Sequence, residues 1–210
     1  MMRRCGSPDD VYADDAMRRF AAYSDDPVTV ARNLLGQRLV RVESGRRLAG
    51  IIVEVEAYLG APDRAAHTYN GRRTPRNESM YLGGGHVYVY FTYGLHHCMN
   101  VVCGEREEGV AVLLRAIEPT EGLDLMFDRR AAAKRPCDLC SGPGKLTRAL
   151  GIDRSQDGLD LRVSRELFIE RRGGRATITS TPRIGVDYAG AWAKRRLRFL
   201  IRGNTHLSRR

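Results

Sequence analysis

Residues 50–58 read GIIVEVEAY, and residues 88–93 read YVYFTY. The β-branched residues of the first stretch and the tyrosines of the second are typical of β-strands. The first stretch runs into Leu-Gly-Ala-Pro, a sequence that interrupts a strand. Together the two stretches predict strands that bring a carboxylate and several aromatic rings to one region, an arrangement suited to chemistry on a flat ligand.

Alternation of side chains divides the first strand into two faces. The predicted core face carries Ile51, Val53, Val55 and Ala57, and the opposite face carries Ile52, Glu54, Glu56 and Tyr58. Glu56 and Tyr58 stand where the strand leads into a loop, a favoured place for active sites. The alternative is that both glutamates cover the solvent face of a half-exposed strand.

The second strand is predicted to have two faces as well. One carries His86, Tyr88, Tyr90 and Thr92, and the other carries Val87, Val89, Phe91 and Tyr93. Tyr90 and Tyr93 therefore point in different directions, so that one ring lines a pocket while the other projects at the strand's end. The alternative is sheet packing, and that is the interpretation for Tyr88.

The chain of 210 residues is long enough for one domain with a sizeable core. Its 35 Lys and Arg residues against 25 Asp and Glu residues leave a net charge of +10, which favours a polyanionic partner. No apolar run approaches the ~18 residues of a membrane span, and the N-terminus lacks the apolar region of a secretory signal. These features predict a cytoplasmic protein.

The five cysteines, an odd number, fit a reducing compartment better than a disulfide framework. Cys137 and Cys140 have the spacing of two zinc ligands, but no second pair of ligands stands at a suitable interval. The sequence therefore predicts no metal site.

Periodicity and turn residues predict the other elements. Residues 1–25 are expected to form a poorly ordered lead, and residues 26–210 a single domain. A helix over residues 28–35, capped by Asp26, precedes a hairpin of residues 37–42 and 48–57. The later elements are strands at 86–93, 97–103 and 109–117, a helix after Pro119, a helix at 144–150, strands at 166–171 and 176–180, a small helix at 189–195 and a strand at 197–202.

Residues 59–85 form a long predicted loop that carries Arg72, Arg73 and Arg76 beside glycines and prolines. Loops of this length without regular structure are uncommon in compact domains and are usually functional. A kinked basic surface suits phosphate binding, although a solvated basic loop has the same composition.

A series of motifs connects these elements: ARNLLGQRLVR, IVEVEAYLG, AAHTYNGRRTPRN, VYVYFTYG, CMN, VLLRAIEP, CSGPGKL, RIGVDYAG and WAKRRLRFLIRG. The series resembles the alkyladenine (3-methyladenine) DNA glycosylase family over nearly everything after residue 26. The resemblance implies an α+β fold, a single mixed domain in which peripheral helices surround a curved antiparallel sheet. It also implies a monomer that works without metal or cofactor.

The implied activity is that of a monofunctional DNA glycosylase, which flips a damaged purine out of double-stranded DNA and begins base excision repair. Its substrates would be alkylated or deaminated purines of the class of 3-methyladenine, 7-methylguanine, hypoxanthine and ethenoadenine. The expected partner is duplex DNA that contains such purines, and the expected location is the cytoplasm, at the nucleoid in a bacterium.

The resemblance also assigns roles around the base. Glu56 would activate a water molecule and offset positive charge on the sugar, and Arg115 would help to hold that water. Tyr58 would stack on one face of the flipped base, with His67 and Tyr90 on the other, because electron-rich rings suit a cationic base.

Further roles concern selectivity and the duplex. Asn100 would crowd the 2-amino group of guanine and so disfavour the normal base. Tyr93 would fill the gap that the flipped nucleotide leaves, although Leu95 stands where the family has a methionine. The residues expected to contact the DNA backbone are Arg72, Arg76 and Lys145, the last at the start of the helix at 144–150.

Two other functions are compatible with parts of the sequence. A hydrolase of free sugars would use Glu54 and Glu56, which a regular strand places ~6.6 Å apart. A non-catalytic nucleic-acid binding module would account for the basic charge and the aromatic residues. Glu56 argues against the second, because a binding module gains nothing from a carboxylate that faces phosphates.

Overall fold

The computed structural model describes residues 19–92, 94, 96–174 and 176–209. Its strands are β1 (Arg38–Glu43), β2 (Arg46–Tyr58), β3 (Val87–Thr92), β4 (His96–Cys103), β5 (Val110–Glu121), β6 (Leu167–Glu170), β7 (Ile178–Thr181) and β8 (Arg198–Ile201). Its α-helices are α1 (Pro27–Leu34), α2 (Leu123–Arg129), α3 (Pro136–Leu139) and α4 (Pro143–Leu150). Four 3₁₀ turns occur at Tyr69–Gly71, Glu78–Tyr81, Arg154–Gln156 and Asp187–Lys194.

All eight strands belong to one curled antiparallel sheet, which follows the order β3-β4-β5-β2-β1-β6. The long strand β2 is its centre: it pairs with β5 along one edge, whereas the other edge is shared between β1 and β8. β7 then pairs with β8. The expected α+β fold, a single domain with a curved antiparallel sheet and peripheral helices, is confirmed.

Two one-residue irregularities interrupt the pairing of β2 with β5. Ile52 pairs with Ile117 and Glu54 with Ala116, so Val53 is an extra residue; Val55 then pairs with Leu114, so Arg115 is an extra residue on the other strand. Such bulges re-aim side chains and occur often beside active sites. The two shifts compensate, and the strands resume regular pairing towards Tyr58.

The bulges make the predicted faces of β2 wrong. Ile52 packs in the main core with Val55 and Ala57, while Ile51 and Val53 pack with Ala116 in a separate cluster. Strict alternation would have placed the side chains of Ile52 and Val55 on different faces of β2. The extra residue Val53 shifts the alternation by one position, so both side chains enter the main core. The faces predicted for β3 are correct for the described residues, since Val87 and Val89 enter the main core and Tyr88 packs on the other side with Tyr90.

Helices cover the main face of the sheet. The Asp26 side chain accepts hydrogen bonds from the amides of Val28 and Thr29 at the start of α1, as the sequence predicted. α4 packs on β4 and ends at Gly151, which has a φ of 64°. The helix expected after Pro119 begins later than the sequence indicated: β5 continues to Glu121, because Pro119 stands at a third irregularity in the pairing, where its missing N–H is tolerated.

The predicted lead, residues 1–25, lies mostly outside the described residues. In its described part, Phe20 and Tyr23 are buried in the main core. The amide of Phe20 donates to the carbonyl of Ile169, and the carbonyl of Tyr23 accepts from the amide of Gly104. Gly84 also lies against this segment, since a Cβ there would meet the carbonyl oxygen of Tyr23 at 2.5 Å. No helix in the described part of the chain is both long and apolar enough to cross a membrane.

Candidate active site

An aromatic cavity of about 220 Å³ opens at the end of β2, beside β3, β4 and β5. Its walls include six side chains that the sequence singled out: Tyr58, His67, Arg76, Tyr90, Asn100 and Arg115. These residues come from four strands and from the loop between β2 and β3. The fold therefore brings the predicted base-contacting residues to one place.

Glu56 lies behind the cavity wall and is fully buried. Its Oε1 accepts a hydrogen bond from the amide of Ile184 at 2.8 Å and lies 3.2 Å from Nη1 of Arg115. Its Oε2 accepts a hydrogen bond of 2.9 Å from the Tyr58 hydroxyl. The carboxylate is thus held rigidly, next to two side chains that line the cavity.

Burial raises the pKa of Glu56, although Arg115, the amide of Ile184 and the Tyr58 hydroxyl act in the opposite direction. Burial outweighs these contacts because the carboxyl group has no contact with solvent, so the pKa of Glu56 is raised. A raised pKa makes a carboxylate a better proton acceptor, which suits a general base.

Glu54 stands on the same side of β2 and is also fully buried, but it has different partners. Its Oε1 lies 2.9 Å from Nε of Arg115 and 2.8 Å from Nε of Arg198, and it accepts a hydrogen bond of 2.6 Å from the Ser208 hydroxyl. Its Oε2 accepts the amide of Ser208. Burial acts to raise the pKa of Glu54, but the Ser208 bonds and the two arginines together lower it. Glu54 is therefore a fixed anion that positions Arg115.

We call Glu54, Glu56, Arg115 and Arg198 the ion cluster. Its two carboxylates and two guanidinium groups carry no net charge, and all four residues are buried. The sequence singled out Arg115, and the structure places it between the carboxylates of Glu54 and Glu56. It could not predict Arg198 and Ser208, which stand 144 and 154 residues from Glu54.

Three rings form one aromatic wall. The rings of His67 and Tyr90 meet edge to face at 4.6 Å, and the rings of Tyr88 and Tyr90 stack at 5.4 Å. The Tyr88 hydroxyl and Nδ1 of His67 share a hydrogen bond of 2.8 Å. Tyr88 packs in the sheet as the sequence predicted, but this contact, which orients His67, was missed.

Burial, and then the positive charges of Arg76 and Arg72, lower the pKa of His67 to about 4. The imidazole is therefore neutral at physiological pH. A neutral ring does not repel a cationic purine, as an imidazolium would.

Asn100 lines the cavity from β4, where it pairs with Tyr88 on one side and Leu113 on the other. Its Nδ2 donates a hydrogen bond of 3.1 Å to the carbonyl oxygen of Tyr88. This bond fixes the orientation of the amide.

Of the residues predicted to contact phosphates, Arg76 lines the aromatic cavity, and Arg72 and Lys145 lie near residues that line it. Arg76 donates to the carbonyl of Phe91 at 2.9 Å, and its guanidinium carbon lies 5.6 Å from the Tyr90 ring centre. Arg72 lines a second cavity that shares His67, Arg76 and Tyr88 with the first. Arg73, in contrast, is paired with Glu78 and Glu107.

Lys145 is exposed in the first turn of α4, close to Pro143, which lines the aromatic cavity. Its Nζ lies 3.4 Å from the hydroxyl of Ser141. Tyr93 and Leu95 lie outside the described residues, so the assignment of Tyr93 to the gap in the duplex stays a prediction.

A buried ion pair of Asp63 and Arg183 supports Tyr58, and the sequence assigned no role to it. Two hydrogen bonds of 2.5 and 2.8 Å join the two side chains, and the guanidinium carbon lies 4.6 Å from the Tyr58 ring centre. The motif RIGVDYAG pointed to this segment, but the partners are 120 residues apart, so spacing could not identify them. The next residue, Ile184, donates its amide to Glu56.

Among the described residues, no group of three or more His, Cys, Asp or Glu side chains could hold a metal ion. Cys140 is buried in the main core, and Cys137 and Cys140 are both free thiols.

Comparison with known proteins places residues 21–205 within the family described as methylpurine-DNA glycosylase. A Clostridium botulinum protein named "Putative 3-methyladenine DNA glycosylase" is 42% identical over 196 residues, 90% of this chain and 96% of that protein. The Homo sapiens DNA-3-methyladenine glycosylase is 42% identical over 199 residues, 89% of this chain and 66% of the human protein. The Mus musculus DNA-3-methyladenine glycosylase is 41% identical, over 93% of this chain and 62% of the mouse protein.

We expect the His67 imidazole to titrate near pH 4 rather than near 6.5, because burial and two arginines disfavour its charged form. The unfolded chain binds this proton first as the pH falls, so His67 should lower the stability of the fold progressively from about pH 6.5 to pH 4. NMR of the imidazole carbon shifts measures the pKa directly. Titration at 6 or above would show that the ring is solvated and not part of a packed wall. A His67→Gln variant should flatten the fall in melting temperature over the same pH range.

Proposed function

Because the chain belongs to the methylpurine-DNA glycosylase family, we propose that it removes damaged purines from duplex DNA by hydrolysing the N-glycosidic bond. It is a DNA glycosylase, a hydrolase that acts in the repair of alkylated DNA. The observation that carries the proposal is the buried Glu56 carboxylate, held against Arg115 and Tyr58 at the wall of an aromatic cavity. A hydrolase of free sugars is less well supported, because Glu54 is occupied by two arginines and Ser208 and is not available as a second catalytic carboxylate.

The shape of the aromatic cavity suits a flat base. A purine would stack on Tyr58 on one side and meet His67 and Tyr90 on the other, with the amide of Asn100 at its edge. We propose substrates of the class of 3-methyladenine, 7-methylguanine, hypoxanthine and ethenoadenine. The base must leave the helix to reach this cavity, so the reaction requires base flipping.

In the proposed mechanism Glu56 takes a proton from water while the water oxygen bonds to C1′ of the sugar. The N-glycosidic bond breaks at the same time, and its electron pair leaves with the purine. Positive charge develops on the sugar in the transition state, and the Glu56 carboxylate stabilises it. Arg115 lines the cavity next to Glu56 and would hold the water. The product is an intact abasic site, and the chemistry needs neither metal nor cofactor.

The rest of the duplex would lie over the basic mouth of the cavity. Arg72, Arg76 and Lys145 are the proposed contacts to phosphates, and the net charge of +10 adds a general attraction that weakens as salt increases. Tyr93, the residue after Thr92 in the sequence, would enter the gap in the duplex. We propose that the protein acts as a monomer on the DNA of the cell.

We expect Glu56→Gln to keep lesion binding and lose excision, because the amide neither accepts a proton from water nor offsets charge on the sugar. Loss of a general base costs ~10²- to 10⁴-fold in rate, and loss of the charge adds to this. Single-turnover excision from a duplex with one defined lesion measures the effect. Glu121→Gln, at an ion pair with Arg38 and Arg47 remote from the cavity, is the matched control and should excise normally. Near wild-type excision by Glu56→Gln, or a borohydride-trapped enzyme–DNA adduct, would overturn the mechanism.

Asn100→Ser should relax discrimination against normal guanine by removing the amide that collides with its 2-amino group. One such contact typically discriminates by roughly 10-fold or more. The measurement is release of guanine from undamaged duplex beside excision of a lesion. Asn204→Ser, where the amide instead bonds Glu118, serves as control. If guanine release stays at background while lesion excision is intact, Asn100 does not exclude guanine.

Tyr93→Ala should slow excision far more in duplex than in single-stranded DNA, because only a duplex has a gap to fill. The matched variant Tyr93→Phe keeps the ring and should behave like the wild type. Equal losses on both substrates would mean that Tyr93 only supports the local packing.

A further inference from the structure

The Tyr58 ring has a guanidinium group on the side away from the aromatic cavity. Tyr58 lines the cavity, whereas the fully buried Arg183 side chain is not part of the cavity wall, and its guanidinium carbon lies 4.6 Å from the ring centre. The ring therefore separates Arg183 from a base stacked inside. A purine at van der Waals distance from the other face would lie roughly 8 Å from the guanidinium carbon.

This guanidinium is held in place. Asp63 binds it through both Nη atoms, and Nη1 also donates to the carbonyl of Ala57 at 3.0 Å. Asp63 in turn accepts the amides of Leu59 and Ala65, which fixes the carboxylate in its loop. Nε of Arg183 has no hydrogen-bond partner in the described part of the chain. Hydrogen bonding alone therefore does not explain why an arginine is buried at this position.

On the opposite wall a guanidinium also lies near an aromatic ring, but this arginine, Arg76, lines the cavity itself. Arg76 lies 5.6 Å from the centre of the Tyr90 ring. Each of the two tyrosines that would stack on a base is therefore already in contact with a cation. The field of Arg183 also acts on the phenol itself: burial and Glu56 raise the pKa of Tyr58 well above its ordinary value, and Arg183 acts in the opposite direction.

A cation on one face of an aromatic ring weakens the attraction of the other face for a second cation. The ring quadrupole attracts positive charge at both faces, but two cations on opposite faces repel each other, and a water-excluded site screens this repulsion poorly. An uncharged purine stacks through dispersion and keeps its interaction with the ring.

We propose that Arg183, held by Asp63 behind Tyr58, sets the charge preference of the aromatic cavity and shifts it from cationic to uncharged purine lesions. Arg183 is a specificity-determining residue that acts through Tyr58 and does not touch the base. The inference rests on the proposed function, because it requires the damaged base to stack on Tyr58. It makes the shape of the base, and not its positive charge, the main basis of recognition.

The competing explanation is that the pair only holds the backbone together. Arg183 and Asp63 join residues 57–65 to the segment whose Ile184 amide supports Glu56. Loss of a purely structural pair would slow the excision of every lesion by the same factor. The ratio between a cationic and an uncharged lesion separates the two explanations, because a common factor cancels.

The test compares 7-methylguanine, which is cationic in DNA, with uncharged ethenoadenine, each in the same duplex sequence. For every variant, kcat/KM is measured for both lesions. The kcat/KM for the cationic lesion is divided by the kcat/KM for the uncharged lesion, and this ratio is compared with that of the wild type. The double variant Arg183→Met with Asp63→Asn removes the cation without leaving a buried carboxylate unpaired. Its ratio should rise by roughly 3- to 10-fold, the range for one cation–π contact.

Asp63→Asn alone should change the ratio in the opposite direction. It retains a side chain of nearly the same shape but removes the negative charge that compensates Arg183, so cationic lesions should lose more than uncharged ones. Arg183→Lys keeps the positive charge and should restore a ratio near that of the wild type, even where both rates fall. Arg38→Met, on β1 and outside the lining of the aromatic cavity, controls for loss of a positive charge as such.

Equal ratios in the wild type, the double variant and Asp63→Asn would overturn the proposal and leave Arg183 as a structural residue. Circular dichroism checks that each variant is folded. If the double variant does not fold, the lowered ratio predicted for Asp63→Asn, beside the wild-type ratio predicted for Arg183→Lys, decides the question. Failure of the wild type to release either base would instead contradict the proposed function.

Discussion

The ion cluster of Glu54, Glu56, Arg115 and Arg198 is the constraint on which the rest of the site depends. Four charged side chains are buried at the centre of the sheet, where an unpaired charge would destabilise the fold by about 3–5 kcal/mol. Their mutual pairing avoids this cost, but regular pairing of β2 with β5 would not direct these side chains towards one another. The extra residues Val53 and Arg115 in that pairing change the direction of the side chains and bring the charges together.

Within this cluster the two glutamates are differentiated by their surroundings. Glu54 receives two arginines and both polar groups of Ser208, so it remains an anion with no capacity for further contacts. Glu56 receives one arginine, one amide and one phenol, and burial raises its pKa. Glu54 is therefore a fixed anion with a structural role. Glu56, only two positions away, is the carboxylate that we propose takes the proton. The C-terminal segment contributes to the different roles of the two glutamates, because Ser208 holds Glu54 and Glu54 positions Arg115.

The aromatic cavity depends on long-range contacts in the same way. Its walls combine the end of β2, the loop at residues 59–85, strands β3 to β5 and residues 184–188. Asp63 links the loop to Arg183, and Arg183 supports Tyr58 from behind. The ring that would stack on the base is therefore coupled both to the proposed catalytic carboxylate, through its hydroxyl, and to a buried cation, through its face. In the proposed mechanism binding and chemistry would share one rigid assembly, in which Arg183 would act on the base without direct contact.

The sequence by itself determined the elements whose information is local: α1 with its Asp26 cap, the β1–β2 hairpin, the alternation in β3, the helix at α4 and the motifs that identify the family. It also indicated six residues of the aromatic cavity, because the motifs run in unbroken order. It predicted the faces of β2 incorrectly, since period-two alternation cannot reveal a bulge that exists only relative to a partner strand. Only the tertiary structure decided that Glu54 is a structural anion, that Arg198 and Ser208 complete the ion cluster, and that Arg183 lies behind Tyr58. The physical reason is that these interactions join residues 120 or more positions apart, and their strength depends on burial and on distances of 2.5–3 Å that only the folded chain creates.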